Sequence, residues 1–169
     1  NAEVGSSSLP PATKYMNKKI KIFCDTANIL LIKKYNKHLL IKGFTTNPSL
    51  MKLSGAKNYE SYSKKILKIC KDKPISFEVF SDDPLNMEKQ ALKINSWGKN
   101  VYVKIPVVNT KGKFMGPLIK KLSKKGIKLN ITAVYTIKQV RNILNNIGKS
   151  KVIISIFAGR MADAGKDPV

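Results

Sequence analysis

The sequence predicts an α/β chain of parallel strands arranged as a β/α barrel, and three observations carry that expectation. Short β-branched runs alternate with longer stretches of helical period. No Gly-x-Gly-x-x-Gly or Walker motif follows any run, and every run is instead followed by a polar side chain able to do chemistry. Alternation alone implies right-handed crossovers in either an open doubly wound sheet or a barrel. Chemistry spread over all six strand ends favours the barrel, whose site lies on its C-terminal face.

Residues 1–15, rich in Ser, Pro and Ala, read as a disordered leader or a cloning remnant, with Met16 as a natural start and residues 16–169 as one domain. Strands are expected at 20–24, 39–44, 75–79, 101–105, 129–134 and 152–157, each apolar, short and rich in Ile and Val. Tyr59, Tyr62, Ile66 and Ile69 fall at three- and four-residue spacing, as Leu85, Glu88, Ala91, Leu92 and Trp97 do less regularly. Gly116-Pro117 opens a helical stretch that ends at Gly126. Thr136 with Gln139 forms a capping box ahead of Val140, Ile143, Leu144 and Ile147.

A length of 169 residues suits one domain with a real core. The 32 basic against 10 acidic side chains give a formal charge of +22, but only Arg141 and Arg160 are arginine, leaving 30 lysines. Base and phosphate recognition usually draws on arginine forks with interleaved aromatics. The charge therefore reads as a solvated surface, and nucleic acid is an unlikely partner beyond non-specific electrostatic binding. Cys24 and Cys70 sit in apolar runs and His38 is the only histidine, which argues against a zinc site. No apolar run approaches the ~18–20 residues of a membrane span and the first fifteen residues lack a signal-peptide pattern. A soluble, cytoplasmic protein with reduced thiols and no membrane partner is expected.

Lys104 is the most informative residue. In Val101-Tyr102-Val103-Lys104-Ile105-Pro106, period two sends Val101, Val103 and Ile105 toward covering helices and puts Tyr102 and Lys104 inside the barrel. An amine enclosed there is disfavoured as a cation, and a neutral amine is the nucleophile that forms a Schiff base with a ketone or aldehyde. The bland alternative is an edge-strand lysine pointing to solvent. Two of only ten carboxylates, Asp25 and Glu78, fall at strand ends, where they can move the protons that Schiff-base chemistry requires. Structurally, Asp25 reads equally as the N-cap of the next helix and Glu78 as an ion-pair partner of Lys104. Thr45-Thr46-Asn47-Pro48-Ser49 follows the second strand, Asn130 and Thr132 share a face of the fifth, and Ser155 and Phe157 share a face of the sixth. Each has an ordinary reading as a turn, a helix start or a satisfied core polar group. Converging in one barrel mouth, they suit a polyhydroxylated ligand.

Five blocks make the chain resemble the transaldolases, specifically the small group that includes fructose 6-phosphate aldolases. They are Ile22-Phe23-Cys24-Asp25-Thr26-Ala27, Gly43-Phe44-Thr45-Thr46-Asn47-Pro48-Ser49-Leu50, Val103-Lys104-Ile105-Pro106, Asn130-Ile131-Thr132-Ala133-Val134-Tyr135-Thr136 and Ser155-Ile156-Phe157-Ala158-Gly159-Arg160. The resemblance implies a TIM-type (β/α)8 barrel with only six of its eight β/α units in this chain, and hence a fragment of a longer protein. It implies that Lys104 is the Schiff-base lysine holding a dihydroxyacetone unit, with no metal or organic cofactor. Asp25 would exchange a proton with the donor hydroxyl at the bond being broken, and Glu78 and Thr132 would position the water that relays protons. Thr46, Asn47, Asn130, Ser155 and Phe157 would surround the three-carbon unit, and Arg160 would bind the substrate phosphate. Fructose 6-phosphate aldolases carry Gln where Glu78 stands and Tyr where Phe157 stands, which places this chain on the transaldolase side.

The expected partners are sugar phosphates, with a homo-oligomer for the full-length protein. The leading expectation is a transaldolase of the pentose phosphate pathway. A fructose 6-phosphate aldolase comes second, and a truncated, non-catalytic chain that binds polyanions through clusters such as Lys120, Lys121, Lys124, Lys125 and Lys128 comes third.

Overall fold

The computed structural model describes residues 20–148 and 150–167, so the leader expected at 1–15 lies outside the described residues. Six strands form one parallel sheet in the order β1-β2-β3-β4-β5-β6: β1 (Ile22–Asp25), β2 (Ile41–Thr45), β3 (Ile75–Glu78), β4 (Val101–Pro106), β5 (Leu129–Val134) and β6 (Val152–Ile156). Helices fill the crossovers: α1 (Ile29–Asn36), α2 (Pro48–Leu53), α3 (Tyr59–Ile69), α4 (Pro84–Asn95), α5 (Gly116–Lys124) and α6 (Ile137–Leu144), with α7 (Ala158–Asp163) after β6. The sheet curls into an open barrel. Asp25 of β1 and Ser155 of β6 line one cavity at its C-terminal end, and Phe23 and Ile153 line another at its N-terminal end. The expected α/β barrel with six units is the observed one.

Alternation along the strands sorts the side chains by chemistry. The outer face carries Phe44, Ile75, Phe77, Val101, Val103, Ile105, Leu129 and Ile131, all buried. They belong to one core with Ile32, Ile66, Met87, Ile94, Ile119, Leu122 and Ile143 of the helices. The inner face carries Ser76, Lys104, Asn130 and Thr132, which are buried and polar. Such a polar interior is costly unless its groups find partners.

Several boundaries move for local reasons. β2 begins at Ile41, because the His38 carbonyl accepts from the Ile41 amide in a turn that leaves Leu39 and Leu40 exposed. The helix after β1 is capped by Asn28, whose Oδ1 accepts from the Leu30 and Leu31 amides, so Asp25 is not the N-cap. The capping box forms as expected, with Thr136 Oγ1 accepting from the Gln139 amide and Gln139 Oε1 from the Thr136 amide, but Ile147 lies beyond α6. Gly126 follows α5 with φ +73°, a left-handed stop that glycine makes without strain. β6 ends at Ile156, and Phe157, whose amide still donates to the Val134 carbonyl of β5, precedes α7. Cys24 and Cys70 are free thiols, and burial pushes the Cys70 thiol up to about 11. No helix among the described residues is long and apolar enough to cross a membrane.

Candidate active site

β4 places Lys104 on the inner face, 7% exposed, with Glu78 opposite it in the β3–β4 register and Asn130 opposite it in the β4–β5 register. Its Nζ lies 3.4 Å from Glu78 Oε2 and donates to the Thr46 carbonyl at 3.3 Å. Burial pushes the Glu78 carboxyl above its ordinary range more strongly than the Lys104 charge pulls it down, and the Asp25 charge adds to the upward push. A carboxylate so placed is a competent acceptor for a proton from the adjacent amine.

The rest of the inner face is cross-linked between strands. Asn130 Nδ2 donates to Ser76 Oγ at 3.0 Å while its Oδ1 accepts from Ser155 Oγ at 2.7 Å, so one carboxamide joins β3, β5 and β6. Thr45 Oγ1 donates to Asp25 Oδ1 at 2.6 Å, fixing the carboxylate of β1 from β2. Two residues beyond Asn130, Thr132 is 1% exposed, and its Oγ1 is buried with no hydrogen-bond partner among the described residues. Immediately after it Ala133 has φ +56°, where the β5–β6 register shifts between Ile131 and Val134. Left-handed backbone is unfavourable for alanine and is characteristic of bulges beside functional groups.

A cavity of about 450 Å³ opens above this layer, lined by Asp25, Thr45, Asn47, Lys104, Ser155, Phe157, Arg160 and Asp163 among others. Six of the ten residues expected from the sequence therefore share it: Asp25, Asn47, Lys104, Ser155, Phe157 and Arg160. Glu78 stands beside Lys104, and Asn130 reaches the lining through Ser155. Thr46 is placed differently from expectation. It is fully buried with its hydroxyl donating to the Ser76 carbonyl, so it meets the site through its backbone oxygen on Lys104 and not through its side chain. Asn47 Oδ1 caps α2 by accepting from the Leu50 amide. Phe157 stacks edge-on against Tyr135, with centroids 5.7 Å apart.

Sequence reasoning passed over Ser76, Tyr59 and Asp163. Ser76 lies two residues before Glu78 on the same strand face, so period two would have found it. Tyr59 gave no local signal, because its partner is nineteen residues away at the end of β3. No group of three or more His, Cys, Asp or Glu side chains suited to a metal occurs among the described residues.

Comparison with known proteins gives a concordant result. Residues 22–168 match the family described as transaldolase/fructose-6-phosphate aldolase. Similar curated proteins include a probable transaldolase of Dehalococcoides mccartyi, 38% identical over 148 residues, and one of Methanococcus maripaludis, 39% identical over 150 residues. A probable transaldolase of Streptococcus equi subsp. zooepidemicus is 37% identical over 149 residues. Each match covers 88% of this chain and 65% of the relative, so the chain spans about two-thirds of the length of these proteins.

Proposed function

The chain belongs to the transaldolase/fructose-6-phosphate aldolase family, and from that premise we propose that it carries the Schiff-base site of a transaldolase. In this reading a dihydroxyacetone unit passes from a ketose phosphate, sedoheptulose 7-phosphate or fructose 6-phosphate, to an aldose phosphate, as in the pentose phosphate pathway. The observation that supports it best is the Lys104 amine, nearly buried, 3.4 Å from the Glu78 carboxylate and opening onto a cavity that also holds Asp25 and Arg160.

The Lys104 amine, having passed its proton to Glu78, adds to the ketone carbon and forms a carbinolamine, which loses water to give the imine. Glu78 handles the protons of that dehydration, and the unpartnered Thr132 hydroxyl is available to the water involved. Asp25, oriented by Thr45, then takes the proton from the hydroxyl next to the bond being cleaved. The aldose phosphate leaves, and an enamine of the three-carbon unit stays on Lys104. Addition of the enamine to the acceptor aldehyde, with the proton returned from Asp25, and hydrolysis of the new imine complete the transfer. Asn47 and Ser155 hold the hydroxyls of the three-carbon unit, Asn130 holds Ser155, and Phe157 walls the cavity. Arg160 offers its planar fork to the phosphate.

The test is intact-mass spectrometry after incubation with fructose 6-phosphate and sodium borohydride. The chain should gain the mass of one reduced three-carbon unit, and folded Lys104→Ala should gain none. A folded parent chain without the adduct, or a variant that retains it, would overturn the proposal. A second reading, the aldolase, differs in its products, since it releases free dihydroxyacetone without an acceptor sugar. Glu78 and Phe157 favour transfer, and product analysis with and without erythrose 4-phosphate separates the two.

A further inference from the structure

The β2–β3 ladder is interrupted beside the lysine. The Thr46 amide donates to the Ser76 carbonyl at 3.1 Å, and in a regular parallel ladder the next bond would run from the Glu78 amide to the Thr46 carbonyl. That bond is not made. The Thr46 carbonyl accepts from Lys104 Nζ instead, and the Glu78 amide donates to the hydroxyl of Tyr59 at 3.0 Å. The same hydroxyl donates back to the Glu78 carbonyl at 3.0 Å, so one phenol holds both backbone groups of the residue that ends β3. Its ring is fixed at the start of α3 between Phe80, edge-on at 5.5 Å, and Trp97 at 6.1 Å.

We infer that Tyr59 is a positioning residue, a side chain standing in for a strand so that β2 and β3 part and the Thr46 carbonyl and Glu78 carboxylate are both free to hold the Lys104 amine. Without the hydroxyl, the Glu78 amide regains the Thr46 carbonyl as its regular ladder partner, and closing that bond would take the carbonyl from Lys104. A buried N–H drives such a closure, because leaving it unpaired is costly. The chemical consequence rests on the imine reading above, whereas the geometric consequence does not.

Tyr59→Phe removes the hydroxyl and keeps the ring. Tyr62→Phe is the matched control, because it removes a hydroxyl of the same helix that bonds to the Ala27 and Ser54 carbonyls and does not touch Glu78. The chain has four glutamates, so carboxyl-labelled glutamate resolves Glu78 by carbon NMR, with Glu78→Gln for assignment. The groups facing Glu78 are Lys104 from β4, Asp25 from β1 and Tyr59 from α3. With the Thr46 carbonyl withdrawn, Lys104 tightens onto Glu78, and the Glu78 midpoint should fall by about half a unit or more in Tyr59→Phe. It should stay unchanged in Tyr62→Phe. The rate of borohydride-trapped adduct should drop about fivefold or more in the first variant only.

A Glu78 midpoint in Tyr59→Phe equal to that of the parent would overturn the inference whatever the trapping shows. No adduct in the parent would instead refute the imine reading and leave the NMR comparison to decide the role of Tyr59. The parent chain supplies a check that does not depend on the variant folding. Its Glu78 amide should exchange with solvent slowly, as a bonded amide does, and exchange as fast as an open loop amide would overturn the clamp.

Discussion

Asn130 joins three strands under the cavity, and Asn130→Ala measures what that strut contributes. Asn130 is fully buried, and its two hydrogen bonds reach Ser76, 1% exposed, and Ser155, which is half-buried. Truncation strands the Ser76 hydroxyl away from water, at about 1–3 kcal/mol for an unsatisfied buried group. Water can reach Ser155, so its loss costs about 1 kcal/mol or less, and the void left by the carboxamide adds a comparable amount. The sum is about 2–4 kcal/mol, which for a chain of this size lowers Tm by roughly 5–15 °C. Urea denaturation of Asn130→Ala, Ser76→Ala and the double variant provides the assay. If the stranded hydroxyl dominates, the double variant is less destabilised than the sum of the singles by about 1–2 kcal/mol. Additive losses, or a loss below about 1 kcal/mol for Asn130→Ala, would refute the strut.

Further outcomes follow from the same geometry. A Cβ on Gly43 would sit 2.3 Å from Phe23 Cε1 and 2.8 Å from the Pro74 carbonyl oxygen, so Gly43→Ala should cost about 1–3 kcal/mol by thermal melting. Phe23→Leu should recover only part of that, since the ring can yield and the carbonyl cannot. At Ala133, with φ +56°, Ala133→Gly should stay within about 0.5 kcal/mol of the parent, whereas Ala133→Val should lose about 2 kcal/mol in denaturant titration. Glu78 binds its proton more tightly in the fold than its ordinary value of 4.5 allows. Its titration therefore favours the fold fully below pH 4.5, and that contribution is lost as pH rises through the raised folded value. Glu78→Gln should flatten that segment of the stability–pH curve. It should also remove the matching limb from the pH profile of imine trapping, and an unchanged profile would exclude Glu78 as the proton acceptor.

Much of the architecture was legible because its causes are local. β-branched runs between polar turns specified the six strands, Thr136 and Gln139 specified the start of α6, and strict alternation in β4 was enough to put Lys104 inside. A contiguous run such as Ile29-Leu30-Leu31-Ile32 carries no helical period, so α1 went unread although Asn28 caps it. Asp25, Glu78 and Ser155 were legible as candidates because each stands near the C-terminal end of a strand, and Asn130 because it shares a face of β5 with Thr132.

Their partners were not legible, because those depend on which segments the curl of the sheet brings together. Tertiary packing alone decided that Asn130 bridges Ser76 and Ser155, that Thr45 and not a helix amide holds Asp25, and that Thr46 offers Lys104 its carbonyl. It alone set the Tyr59 phenol against the backbone of Glu78. Side-chain type and spacing are encoded within a few residues, so the sequence by itself determined which groups stand on the inner face. A hydrogen bond is satisfied only by a donor and acceptor brought within about 3 Å, and for groups tens of residues apart only the folded barrel does that.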